Sequence, residues 1–167
     1  MRPVSATIAI DVPRERVYDF LGDLANRESF TRGFIEELRL ERIPSSGVGA
    51  AARFRVVGRG IEMWMETVIA EVDPPHRLHE EGHGGRTDRI ATFTVWEVVE
   101  AGGEGSEVTV TFWTEPTNHF DRIREKLGHA RRFRKKWRGA LEQLREVLES
   151  GRAIEPVGVA GEPRVPV

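Results

Sequence analysis

A chain of 167 residues with 39% hydrophobic content is long enough for one domain with its own core. Its 25 basic and 27 acidic residues give a net charge of −2, which excludes a global preference for nucleic acid or an anionic surface. The absence of cysteine excludes disulfides and thiolate chemistry. No stretch approaches the roughly 18–20 apolar residues of a membrane span. Met1–Ser5 leads into an alternating segment rather than a signal-peptide run, so a cytoplasmic protein without a transmembrane segment is expected.

Val4 to Asp11 alternates, with Val4, Ala6, Ile8 and Ile10 on one face, and predicts a strand. Asp11-Val12-Pro13 reads as a helix start, with Asp11 or the next residue capping and Pro13 in the first turn. Val17, Phe20, Leu21 and Leu24 supply that helix with an apolar face. Arg27 to Phe34 reads as a second short helix or irregular turn whose aromatics, Phe30 and Phe34, stand exposed or gate an opening.

From Ile35 the period becomes two, predicting strands at 36–43, 50–57, 61–72, 77–82, 86–99 and 106–114. Turn residues separate them, among them Pro44-Ser45-Ser46-Gly47, Asp73-Pro74-Pro75 and Gly102-Gly103-Glu104-Gly105. Connections this short require antiparallel neighbours, because a parallel neighbour needs a long crossover.

The strongest signal follows. Phe120, Ile123, Leu127, Ala130, Phe133, Trp137, Leu141, Leu144 and Leu148 form one apolar stripe, predicting a helix over 118–150 with Gly151 as its C-terminal cap. At 1.5 Å per residue that helix is about 50 Å long. Arg152 to Val167 is rich in Pro, Gly and charge without periodicity, which predicts a disordered tail (151–167) after a domain spanning 1–150.

A sheet with one apolar face and a helix with one apolar stripe close on each other. The expectation is an α+β helix-grip architecture: about seven curved antiparallel strands around a long C-terminal helix, with two short helices between strands 1 and 2. A curled sheet leaves space against a straight helix, so a cavity is expected where the two diverge.

Three stretches carry a resemblance over nearly the whole chain to about Ser150. They are Ile10-Asp11-Val12-Pro13-Arg14-Glu15-Arg16-Val17-Tyr18-Asp19-Phe20-Leu21, Glu71-Val72-Asp73-Pro74-Pro75-His76-Arg77-Leu78 and Gly105-Ser106-Glu107-Val108-Thr109-Val110-Thr111. With the element order, they resemble the START/Bet v 1-like (SRPBCC) superfamily, in its polyketide cyclase/dehydrase-type branch. The resemblance implies the helix-grip fold and a range of roles from lipid and hormone binding to polyketide aromatase/cyclase activity.

His79-Glu80-Glu81-Gly82-His83 matches the zinc-protease pattern H-E-x-x-H, which needs a helix to bring both imidazoles to one metal. Pro74-Pro75 and Gly84-Gly85 leave only a strand here, on which the two histidines stand roughly 13 Å apart. No metal and no cofactor are therefore expected. The basic run Arg131, Arg132, Arg134, Lys135, Lys136 and Arg138 reads as the solvated back of the long helix. It leaves open a weak contact with an anionic membrane, and no nucleic-acid module accompanies it.

Alternation places Met63 and Met65 on an inner face with Thr67 and Ile69, Phe54 with Val56, and Phe112 with Val108 and Val110. Between Ile90 and Val99 both faces are apolar, so alternation does not choose the inner one. Phe30, Phe34, Phe54, Met63, Met65, Phe93, Phe112, Ile123 and Leu127 are the candidate ligand-binding residues. Gly128, one residue beyond Leu127, would allow close approach of a ligand or of the Phe30–Phe34 segment to the helix. An inward acid or base would come from His79, Asp88, Arg89 or His119, though no spacing pairs them. The expected function is binding of a hydrophobic small molecule, lipid-like or polyketide-like, without turnover. A polyketide aromatase/cyclase is the alternative, and an interaction module using the basic helix face is a second.

Overall fold

The computed structural model describes residues 1–58, 61–85, 90–116 and 129–151. Strands β1 (Val4–Ile10), β2 (Ile35–Leu40), β3 (Ala51–Gly58), β4 (Ile61–Asp73), β5 (Arg77–Gly84), β6 (Ile90–Glu100) and β7 (Ser106–Pro116) form one antiparallel sheet in the order β1-β7-β6-β5-β4-β3-β2. Consecutive strands β2 to β7 are neighbours, as their short connections require. β1 instead pairs with β7, from Val4 opposite Phe112 to Ile10 opposite Ser106. The first two strands thus occupy opposite edges. Helix α1 (Arg14–Gly22), a 3₁₀ turn (Leu24–Asn26) and helix α2 (Arg27–Thr31) connect them.

Helix α3 (His129–Ser150) packs on β1 and α2. Trp137, Ala140, Leu141, Leu144 and Leu148 are its buried stripe, with spacings of three and four that keep one face inward. Gly151 follows at φ 62°, the left-handed conformation that ends a helix without a Cβ penalty. The predicted helix over 118–150 is thus helical from His129, and 117–128 lie outside the described residues, as does the predicted tail from Arg152.

Two local expectations are corrected. Helix α1 begins at Arg14 with Pro13 in the N-cap position and no side-chain cap, so neither Asp11 nor Val12 caps it. Phe30 and Phe34 do not stand exposed: they are 1% and 4% exposed and belong to the core. The chain there is pinned by polar bonds. Asp23 accepts from the Ala25 N–H at 2.9 Å, Asn26 Nδ2 donates to the Phe20 carbonyl at 3.0 Å, and Thr31 Oγ1 donates to the Arg27 carbonyl at 2.8 Å. With those bonds made, α2 turns Phe30 toward Trp96 of the sheet, and Phe34 follows it into the core.

Two inward glycines let the sheet curl. A Cβ at Gly82 would lie 2.1 Å from the Glu66 carbonyl oxygen, and one at Gly84 would lie 2.7 Å from that of Trp64. At these positions β4 crosses so close over β5 that no side chain fits.

Candidate functional site

The concave face holds a cavity of about 30 Å³. That is room for about two waters. Its apolar wall includes Phe34, Phe54, Val56, Met65, Phe112, Phe133 and Trp137, and its polar stripe is Arg27, Thr67, Glu80, Thr92 and Thr94. The strand elements follow alternation. Phe54 and Val56 point inward from β3, Met65 and Thr67 from β4, and Phe112 from β7, while Arg53, Glu66 and Thr111 stand on the other face.

Of the residues proposed from sequence, Phe34, Phe54, Met65 and Phe112 come together on the cavity wall. Phe30 lies behind it, meeting the Trp96 ring edge-on at 6.0 Å. Met63 is half-buried against the core on the same face as Met65. Phe93 is a correction: Thr92 and Thr94 take the inward positions on β6, so Phe93 faces outward and cannot reach the cavity. There it stacks on Trp113 at 5.0 Å and lies near His79 at 6.4 Å. Ile123, Leu127 and Gly128 lie outside the described residues, as do Asp88, Arg89 and His119. His79 is on the outer face with Phe93, so it supplies no inward acid or base.

The centre of the polar stripe is a buried ion pair that the pattern reading missed. Arg27 Nη2 donates to Glu80 Oε1, and both residues are 4% exposed. The same Oε1 accepts from Trp96 Nε1 at 2.8 Å, and Oε2 accepts from Thr67 Oγ1 at 3.2 Å. The guanidinium lies 4.8 Å from the Trp96 ring centre and 5.6 Å from that of Phe30, so its faces are covered by π surface. A buried charge pair is tolerable only when its remaining donors and acceptors are satisfied, which these partners accomplish on the Glu80 side. The sequence did carry a signal for it. Glu80 shares the alternation frame of Leu78, and Arg27 falls three residues from both Leu24 and Phe30, so opposite charges sit on two apolar faces.

The H-E-x-x-H residues lie on strand β5 and divide between its faces, Glu80 inward and His79 outward. In the basic run, Arg131, Arg132, Arg134, Lys135 and Arg138 are exposed, as a solvated face should be. Lys136 differs. Its Nζ donates to the Val57 carbonyl at 2.5 Å and lies 5.2 Å from the Phe34 ring centre. Burial lowers its pKa from the ordinary lysine value, with Glu36 opposing the shift. It ties α3 to the end of β3.

Trp137 is the helix residue most enclosed by this wall. Its ring meets Phe34 at 5.2 Å and Trp96 at 5.5 Å, both edge-on. It is 5% exposed, and its Nε1 has no hydrogen-bond partner among the described residues.

Comparison with known proteins places this geometry. The family model described as polyketide cyclase/dehydrase and lipid transport matches residues 1–149. No curated protein matches the chain. Among solved structures, a protein from Thermus thermophilus superposes with a TM-score of 0.70 at 20% identity, covering 90% of this chain and 99% of that one. The major latex-like protein 151 of Panax ginseng gives 0.62 at 14%, covering 89% and 95%. DynU16, from the dynemicin biosynthetic locus, gives 0.58 at 16%, covering 91% of this chain and 49% of its own. At such identities the likeness to these structures is one of fold. No helix among the described residues is long and apolar enough to cross a membrane.

Proposed function

The chain belongs to the polyketide cyclase/dehydrase and lipid transport family of the START/Bet v 1-like superfamily, and from that premise we propose that it binds a hydrophobic small molecule, lipid-like or polyketide-like, between sheet and C-terminal helix. The observation that carries this reading is the lining. Apolar and aromatic side chains from β2, β3, β4, β7 and α3 converge on one space with a single buried polar cluster at its side. That composition matches a ligand site, in which apolar walls supply affinity and a few placed polar groups orient the guest.

At about 30 Å³ the space is smaller than any lipid or polyketide, so the wall widens on uptake. The grip of three donors on Glu80 argues for binding over turnover, because a carboxylate so engaged has little capacity left to take a proton from a substrate. Glu80 and Arg27 act instead as a fixed polar reference beside the apolar wall.

Native mass spectrometry of the purified protein tests the reading directly, by looking for a co-purified apolar ligand. Ala52 lines the cavity at 0% exposure, and Ala52→Leu fills space there. The variant should lose uptake while urea denaturation shows it folded. Undiminished uptake by a folded Ala52→Leu protein would move the site elsewhere.

A further inference from the structure

The polar groups of this wall restrict what kind of guest it takes. Trp137 carries a buried N–H with no acceptor among the described residues, on a ring that lines the cavity. Buried donors are nearly always satisfied, and one left without a partner beside a ligand space is an open valence for the ligand. The charged groups on the wall, among the described residues, are Arg27 and Glu80, and each already neutralises the other. The remaining polar members are the hydroxyls of Thr67, Thr92 and Thr94.

Resting on the proposal that this cavity binds a hydrophobic molecule, we infer that the ligand is electrically neutral and carries an oxygen, a ketone or hydroxyl, that accepts from Trp137 Nε1–H. A carboxylate would enter a low-dielectric space where the cation on the described wall is already held by Glu80, and would itself stand uncompensated beside that carboxylate. An ammonium would meet the same difficulty with Arg27. A pure hydrocarbon would fill the apolar wall but leave the indole N–H without a partner. A neutral oxygen satisfies the indole and adds no charge. Lys136, a further cation on α3, is engaged by the Val57 carbonyl.

Three probes on one skeleton separate these cases: 2-acetylnaphthalene (ketone), 2-naphthoate (carboxylate) and 2-ethylnaphthalene (hydrocarbon), titrated calorimetrically into the full chain. The ketone should bind about three- to tenfold more tightly than the hydrocarbon, the size of one net hydrogen bond, and more tightly than the carboxylate. Trp137→Phe keeps an aromatic ring and removes the N–H. It should weaken the ketone by the same factor and leave the hydrocarbon unchanged. In the wild-type protein the Trp137 indole N–H resonance should shift on adding ketone and not on adding hydrocarbon, a readout that does not depend on the variant folding. Tightest binding of 2-naphthoate, particularly if Lys136→Met abolishes it, overturns the inference and leaves the cavity reading standing. Equal binding of ketone and hydrocarbon with an unmoved indole resonance does the same. Binding of none of the three removes the cavity reading and the inference with it.

Discussion

Strands β3, β4 and β7 differ from β5 and β6 in which side chains they turn inward. The first group follows the usual rule: Phe54, Met65 and Phe112 face the helix, while Arg53, Glu66 and Thr111 face out. In the second group the polarity reverses along much of the strand. Glu80, Thr92 and Thr94 line the cavity, while Phe93 and Val95 face outward, with Trp113 stacked on Phe93 from the adjoining strand. A sheet built only to bury hydrocarbon would not be arranged this way. The reversal is tolerated inside because Arg27, Trp96 and Thr67 satisfy Glu80, and outside because aromatic rings cover one another.

The inner half of that reversal should break most severely when a charge is left alone. Glu80→Ala strands Arg27 and removes the acceptor of Trp96, and should cost about 3–5 kcal/mol in urea denaturation. The double variant Arg27→Met/Glu80→Leu should recover most of that loss, since a matched apolar pair needs no compensation. If the double variant is as unstable as the single one, the pair holds the fold rather than merely tolerating burial.

Next in size is the curl that brings the two groups of strands over one cavity. Gly82→Ala places a methyl where the Glu66 carbonyl stands, 2.1 Å away, and should cost about 1–3 kcal/mol by the same measurement. A neutral Gly82→Ala would mean that β4 can retreat from β5 freely.

The outer half should be milder. Phe93→Ala removes one ring of a half-buried stack and should cost about 1–2 kcal/mol, while leaving uptake of an apolar probe unchanged because the ring is on the far side of the sheet. Lost uptake with a small stability change would put Phe93 back among the binding residues.

The smallest effect concerns Lys136, the helix counterpart of a polar group drawn inward. Its folded-state pKa lies below the ordinary 10.5, because burial disfavours the ammonium. At neutral pH both states are charged and the folded state carries the burial cost. As pH rises through the lowered folded value toward the unfolded one, the folded protein releases its proton first and that cost is relieved. Wild type should therefore gain stability relative to Lys136→Met across that alkaline window, read as the difference between their urea midpoints at neutral and alkaline pH. A constant difference would mean that the bond to Val57 offsets burial.

Strand positions were legible because antiparallel hairpins are local objects: turn residues and alternation within about ten residues place them. The inner faces of β3, β4 and β7 were legible for the same reason, since charged or hydroxyl residues such as Arg53, Arg55, Glu62, Glu66, Thr109 and Thr111 mark the outer frame of each. Strand β6 was not, because both its frames are apolar, and the choice between Trp96 and Phe93 depends on neighbours far away in sequence. The burial of Phe30 and Phe34 was not legible, because a helix of five residues has no periodicity of its own and Phe34 lies in the short connection after it; only contacts with distant segments make them core.

The sequence by itself determined the order of elements, the antiparallel pairing of β2 through β7 and the stripe by which α3 attaches, all consequences of period and turn chemistry. Tertiary structure alone decided that β1 closes on β7, that Arg27 meets Glu80 across 53 positions of chain, and that Trp137 keeps an N–H at the cavity wall with no partner among the described residues. Those are contacts between distant segments. No local pattern encodes the distance between two buried charges, and that distance decides whether they destabilise the core or become part of a site.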